Sequence, residues 1–531
     1  MVRTNLVNTV RNKFHSSNIK FWESATLLVL FIFFIIQAQY NFFGDEYDNM
    51  LGGKLINEGI LLYRDYFSHH MPLPYYLAAL INLISGPSPL NIRYIFLIIL
   101  YAWLLFFHKN LRELTSPKIS LLFIALVVLI NPVIWSHMLL AETLIAYSAI
   151  HISILFLKIM KDKRRKVIGT DMLQVAFIGS IPLLSSLGFW ALSIFYYSFF
   201  LWLFSRDYLN SKVKDYRGLL RFAIIYCMLI LIPYSLFVLH FILGQSLNDF
   251  YLYNIIFNQE YYSIYNVDIP RNNTQMFTDL FANIFNSLSI NLQQLSDFPE
   301  TTYRLILKFF VFGYIGLIFL MRRKTIGIFF LFSYFFLNAR QGDIFIENNF
   351  HEIQVMLFAI LCITLTLHIY FENISREEVH TGIKRYVLTI NFSLLIILVG
   401  YLFDFNKDIL ELYRNDKMPS IIHQETKLNN IVNSGDVESV WIGPAKFEEF
   451  FFLEPEVASK YYYWYPWHNS CPTCKSELLQ DLQKNKPEIV YWNNNKVIWE
   501  EHNSNDYGRS IFNFLEENYT REDNLIYKLK E

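Results

Sequence analysis

Eleven apolar runs, most of them near bilayer-crossing length, constrain this chain more than any other feature. They lie at about 21–38, 92–107, 119–138, 140–159, 173–187, 189–204, 222–243, 303–321, 326–337, 353–370 and 387–403. A helix of about 20 apolar residues crosses the hydrocarbon core. Inside that core only helices and closed barrels satisfy their own backbone polar groups. The chain is 54% hydrophobic and 18% aromatic, above the roughly 45–50% apolar content of soluble domains. The expectation is a polytopic α-helical membrane protein with about eleven transmembrane helices.

Basic residues orient these spans. Arg3, Arg11, Lys13 and Lys20 precede the first run, which has no small-residue cleavage site, so it reads as a retained span with a cytoplasmic N-terminus. Later basic clusters, at Lys109–Lys118, 158–166, 206–221, 322–324 and 376–385, all fall on the same side. That alternation puts the loops at 40–90 and 244–302 outside. It also puts outside the tail, 405–531, as an extracytoplasmic domain beside a membrane module at 1–404. The net charge of −1 and the lack of a basic domain argue against nucleic-acid binding.

The tail reads as small α/β. Strands are expected at 437–443, 488–492 and 497–499, and helices at 474–484 and 509–519. Cys471 and Cys474 form a CPTC pair. In an exported domain it is a local disulfide or a pair of structural thiols, with a redox site or half a zinc site as alternatives. Cys227 and Cys362 sit in apolar runs as small hydrophobes.

The charged residues of interest gather at the expected outer face. The stretch 44–77 holds Asp45, Glu46, Asp48, Glu58, Arg64, Asp65, His69 and His70 among aromatics and prolines. An acid pair beside the bilayer is a functional candidate by default, although a solvated loop would also tolerate it. Glu142 stands where two spans meet, as an interfacial cap or a second acid. Arg340 and His351 lie before the tenth span, where a snorkelling arginine and a helix-start histidine are the ordinary readings. An aromatic stretch at 248–265 suggests a lid or a surface helix.

An acid pair after the first span, followed by YRDYFSHHMPLPYYL (63–77), resembles the first outer loop of the glycosyltransferase C superfamily. Its members include the protein O-mannosyltransferases and the aminoarabinose transferase that modifies lipid A. Two features depart from the pattern. No lysine ends the fifth span at 182–188, and the histidine–aromatic pair is inverted as Phe350–His351. The resemblance implies sugar transfer, with inversion, from a polyprenyl-phosphate donor to a lipid, glycan or protein acceptor. It implies Asp45 as the base, with Glu46 or Glu142 orienting the acceptor or a divalent metal. It implies Arg64, His69, His70, Arg340 and His351 around the donor phosphate. No Gly-rich nucleotide-binding stretch is present. A lipid or glycan flippase and a non-catalytic scaffold are the rival classes.

The charge alternation makes a direct prediction. Cysteines introduced near Asn503 should react with an impermeant reagent applied outside intact cells, and those near Arg164 should not. Protection at both positions, or the reverse pattern, would overturn the orientation.

Overall fold

In the computed structural model the described residues are 21–40, 42–161, 169–209, 216–265, 299–338, 350–375, scattered positions between 389 and 432, and most of 437–530. The helices in chain order are α1 (Phe21–Gln39), α2 (Gly44–Asn57), α3 (Leu73–Ser85), α4 (Pro89–Leu114), α5 (Pro117–Ile130), α6 (Ala141–Lys161) and α7 (Gly169–Ile178). They continue with α8 (Ile181–Ser185), α9 (Trp190–Leu209), α10 (Tyr216–Leu243), α11 (Leu247–Tyr251), α12 (Pro299–Leu320), α13 (Lys324–Leu337) and α14 (Ile353–Ser375).

Among the described residues six helices are long and apolar enough to cross a membrane: α1, α4, α6, α9, α10 and α14. This is a polytopic helical architecture, but the count falls below the expected eleven for identifiable reasons. The run at 119–138 is helical only through Ile130, and the turn that follows carries Asn131 and Pro132. The run at 173–187 breaks at Gly179–Ser180 into α7 and α8, with Pro182 in the first turn of α8. The run at 326–337 makes only the 14-residue α13. The run at 387–403 is described, as helix, only at 389, 393 and 395–402, and the run at 303–321 forms α12, which is not among the six. Nearly all of α6 and α14 is buried, so they form the centre of the bundle, while α1 and α10 expose most of their surface. An all-round apolar helix that exposes side chains suits lipid contact.

Buried polar bridges fix the first helices together. Glu23 of α1 accepts from Arg112 at 2.6 Å and lies 2.8 Å from His108 Nε2, both on α4. Nδ1 of His108 lies 2.7 Å from Ser120 Oγ on α5. Gln37 Nε2 donates to the Val128 carbonyl at 2.9 Å.

The stretch expected as a loop at 40–90 is mainly the helix pair α2 and α3. Gly52 and Gly53 allow their close approach: a Cβ at Gly52 would stand 2.3 Å from the Tyr75 ring, and one at Gly53 would stand 2.6 Å from Ala78 and the Ala79 nitrogen. The seat of α2 is an ion pair buried at 0% exposure on both sides, between Glu46 and Arg93 of α4.

The tail holds a five-stranded sheet in the order β2-β1-β3-β7-β6. Its strands are β1 (Ser439–Gly443), β2 (Glu456–Val457), β3 (Ile489–Trp492), β6 (Tyr519–Arg521) and β7 (Ile526–Leu529). β1 pairs in parallel with β2 and β3, and β7 runs antiparallel between β3 and β6. β1 and β3 are almost wholly buried, as parallel strands covered on both faces require. The helices α15 (Pro472–Asn485) and α16 (Arg509–Asn518) match the two read from periodicity. The strand expected at 497–499 forms instead a separate ribbon, β4 (Val497–Ile498) with β5 (His502–Asn503). Cys471 and Cys474 are joined as a disulfide, and Cys471 Sγ accepts from the Cys474 amide at 3.2 Å to cap α15.

Removing one partner from a buried ion pair strands the other charge, at a cost of about 3–5 kcal/mol. Arg93→Ala should therefore lower the unfolding temperature of the lipid-embedded protein sharply. Adding Glu46→Gln to it should recover part of the loss. Equal unfolding temperatures for wild type and Arg93→Ala would show that the pair does not seat α2.

Candidate functional site

The site is built on the first turns of α2. Phe43 caps the helix in extended backbone, and Asp45 and Glu46 occupy its first turn, where the helix dipole favours negative charge. Helical spacing then separates the acids by direction. Glu46 and Asn49, one turn apart, face the connection before α6. Glu46 Oε1 accepts from the Leu139 amide at 3.1 Å, and Asn49 Nδ2 donates to the Leu139 carbonyl at 2.9 Å. Asp48 points about 160° round the helix from Glu46, and Asp45 falls between them. Asp45 is half-buried, and Asp48 is buried at 2% exposure.

Asp48 stands among the charged residues of interest in the sequence but is assigned no role there. Its two oxygens accept from the phenols of Tyr66 and Tyr75. His70 Nδ1 stands 3.7 Å from Asp48 Oδ2. Burial raises the Asp48 carboxyl to about 6, against the smaller lowering effect of the two phenol hydrogen bonds. The signal in the sequence was its position three residues after Asp45, followed one loop later by two tyrosines and a histidine.

The loop between α2 and α3 carries the histidines. Tyr63 adopts a left-handed φ of 73° and donates from its phenol to the His70 carbonyl at 2.9 Å. Ser68 Oγ accepts from the His70 amide at 3.0 Å. His69 and His70 have ring centroids 4.2 Å apart. His69 is buried and packs on Tyr262 at 4.8 Å, with its carbonyl accepting from Asn258 Nδ2 at 2.9 Å. Asn258 and Tyr262 belong to a π-helical turn, Asn258–Tyr262, within the expected aromatic stretch. That stretch packs between the first loop and the tail, since Tyr262 also meets Trp467 at 5.0 Å.

The other expected residues are distributed unevenly. Arg64 is turned away to solvent. It pairs with Asp65 at 2.8 Å and donates to the Gly244 carbonyl at 3.1 Å, which ties the loop to the end of α10. The Arg64 guanidinium, by hydrogen bonding, holds the Asp65 carboxyl below its usual range. Glu142 is buried in the first turn of α6, three residues beyond the Leu139 that Glu46 and Asn49 grip. His351 is buried, and its neighbour Phe350 packs on Phe43, the cap of α2, at 4.9 Å. The inverted pair therefore still arrives beside the acidic helix. Arg340 lies outside the described residues.

Two cations hidden in an apolar run join the same neighbourhood. Lys308 of α12, fully buried, donates to Glu352 Oε1 at 2.6 Å, and Arg304 lies 3.9 Å from Glu352 Oε2. Glu352 follows His351 directly. Among the described residues no three His, Cys, Asp or Glu side chains converge in a way that could hold a metal ion.

An apolar cavity of about 390 Å³ lies between α3, α7, α8 and α10. Tyr76 and His240 stand on its wall with rings 5.2 Å apart, beside Leu73, Leu184, Pro233 and Phe237. Tyr75, the next residue to Tyr76, is the one that binds Asp48.

No protein-family model matches the chain, and no curated protein matches it significantly. Among solved structures it is similar to the oligosaccharyltransferase AglB of Archaeoglobus fulgidus, solved with an inhibitory peptide and a dolichol-phosphate. The identity is 13%, the TM-score is 0.41, and the match covers 89% of this chain and 69% of that one. At that score the likeness carries no weight for fold or function.

The raised Asp48 carboxyl predicts a pH dependence with a definite sign. A carboxyl whose folded value exceeds its unfolded value of about 3.9 stabilises the fold fully below pH ~4. That contribution is lost as pH rises through about 6. Asp48→Asn cannot ionise. Its unfolding temperature relative to wild type should therefore rise between pH 4 and pH 7, by the equivalent of roughly 3 kcal/mol at most. A constant difference across that range would rule out a buried titrating Asp48.

Proposed function

We propose that the chain is an integral membrane glycosyltransferase. It transfers a sugar from a polyprenyl-phosphate-linked donor to an acceptor hydroxyl of a lipid, glycan or protein on the extracytoplasmic face, with inversion at the anomeric carbon. The observation that carries this reading is the acid face of α2. Asp45 and Asp48 stand at the end of the first span, with His70 3.7 Å from Asp48 and His69 beside it. Tyr75, which binds Asp48, is followed along α3 by Tyr76 on the wall of the apolar cavity. The resemblance of residues 45–77 to the glycosyltransferase C first loop supports the same chemistry.

Asp45 is the base in this reading. It is the half-buried acid of the pair, whereas both oxygens of Glu46 are engaged by Arg93. The acceptor attacks the anomeric carbon as Asp45 takes its proton. The bond from that carbon to the donor phosphate oxygen breaks, and the lipid phosphate leaves with the electron pair. The charge developing on the phosphate needs nearby donors. His69, His70 and His351 supply them, together with the cations Arg304 and Lys308 and with Arg340. Arg64 serves instead to clasp the loop to α10, and Glu46 to seat α2. The lipid chain occupies the apolar cavity beside Tyr76 and His240, and Glu142 is the reserve candidate for the base.

The test is Asp45→Asn, measured as product formed from a polyprenyl-phosphate sugar in lipid nanodiscs, beside donor binding on the same samples. General-base catalysis is worth about 10²–10⁴-fold. Turnover should fall by that order with donor binding intact. Turnover close to wild type would remove Asp45 as base and move the role to Glu142. Lipid movement without covalent product in the wild type would replace the enzyme by a flippase.

A further inference from the structure

The tail closes over the first loop. The Phe67 amide donates to the Lys460 carbonyl at 2.9 Å. The Phe67 ring stands within 4.8 to 5.9 Å of Tyr461, Tyr463 and His468 of the tail. Tyr462 meets Tyr66 edge-on at 4.9 Å, and Lys54 Nζ of α2 donates to the Phe451 carbonyl at 3.0 Å. These contacts bring one tail side chain into the acid–histidine cluster. The Tyr463 phenol lies 3.3 Å from His69 Nδ1, and Tyr463 is 2% exposed.

We infer that Tyr463 is a positioning residue of the catalytic site, which donates its phenolic proton to His69 Nδ1 and so fixes the tautomer that carries its proton on Nε2. The inference rests on the glycosyltransferase reading. A neutral imidazole whose Nδ1 accepts must hold its proton on Nε2. That form can donate to an anionic phosphate oxygen, where a hydrogen bond is roughly twice as strong as between neutral groups. Burial foremost, and then the charge of Asp48 and Asp45 among its neighbours, hold the Tyr463 phenol well above its ordinary value. It therefore stays protonated and able to donate throughout the working range of pH. Tyr262 against one side of the His69 ring and Asn258 on its carbonyl restrict the remaining motion. The tail is then a wall of the active site as well as an appended domain.

The experiment uses the full chain in nanodiscs, with polyprenyl phosphate as the binding probe and product formation read on the same samples. The variants are Tyr463→Phe, His69→Ala, their double, and Tyr462→Phe as a control on the same segment. Tyr463→Phe should unfold at the wild-type temperature and bind polyprenyl phosphate about 10- to 150-fold more weakly, the size of one hydrogen bond to a charged group. In the His69→Ala background the same change should cost nothing. Equal binding by wild type and Tyr463→Phe, or an equal cost in both backgrounds, overturns the inference and leaves the enzyme reading standing. A loss that Tyr462→Phe shares, or that follows a lowered unfolding temperature, makes the role structural and also overturns it. A wild type that neither binds polyprenyl phosphate nor forms product overturns the glycosyltransferase reading and the inference with it.

Discussion

The buried pair between Arg93 and Glu46 holds the acid-bearing end of the molecule in register. Taking two charges out of water costs several kcal/mol each, and only full hydrogen bonding repays it. Here the guanidinium donates to both carboxylate oxygens and to the carbonyls of Ala38 and Tyr40, and it rests 3.5 Å over the Phe42 ring. One side chain of α4 thus binds the end of α1, the connection after it and the first turn of α2. Glu46 extends the grip to Leu139 before α6. The rotation of α2 that follows sends Asp45 and Asp48 away from Arg93 and toward the histidine loop. An uncharged residue at 93 would leave that rotation to the hydrogen bonds of Glu46 and Asn49 with Leu139 and to side-chain packing.

The membrane architecture was legible because membrane-spanning helices are apolar along their whole length, whether they face lipid like α10 or the bundle centre like α14. The limits of that rule explain the shortfall in spans. Hydropathy cannot see that the run at 119–138 turns after Ile130, or that Gly179 and Pro182 split another. The tail helices and the buried parallel strands were legible for the matching reason, since β1 and β3 carry continuous apolar runs. Two-residue strands such as β2 carry too few side chains to show a period.

The geometry of the candidate site was half legible. The acid pair and the two histidines could be found because charge beside an apolar span is costly and rarely idle. Their roles could not be divided from spacing, because adjacent acids on a helix point about 100° apart and only a partner decides which one is structural. That partner, Arg93, sits at the edge of an apolar run, as do Arg304 and Lys308, where a charge reads as an interfacial anchor. Asp48 looked equivalent to its neighbours until Tyr66 and Tyr75 were seen to enclose it. Arg64 looked suited to phosphate, but Asp65 and Gly244 hold it elsewhere.

The docking of the tail on the first loop sets an order of events in biosynthesis. His69 and Tyr463 are 394 residues apart, and Phe67 finds its backbone partner at Lys460. Every helix from α3 to α14 must be synthesised and threaded before those contacts can form. Until then the acidic helix waits with its aromatic roof missing and its histidine unclamped. The membrane helices α1 to α14 are therefore made before the acid–histidine cluster is assembled, and synthesis of the tail segment around Tyr463 decides when that cluster first takes shape.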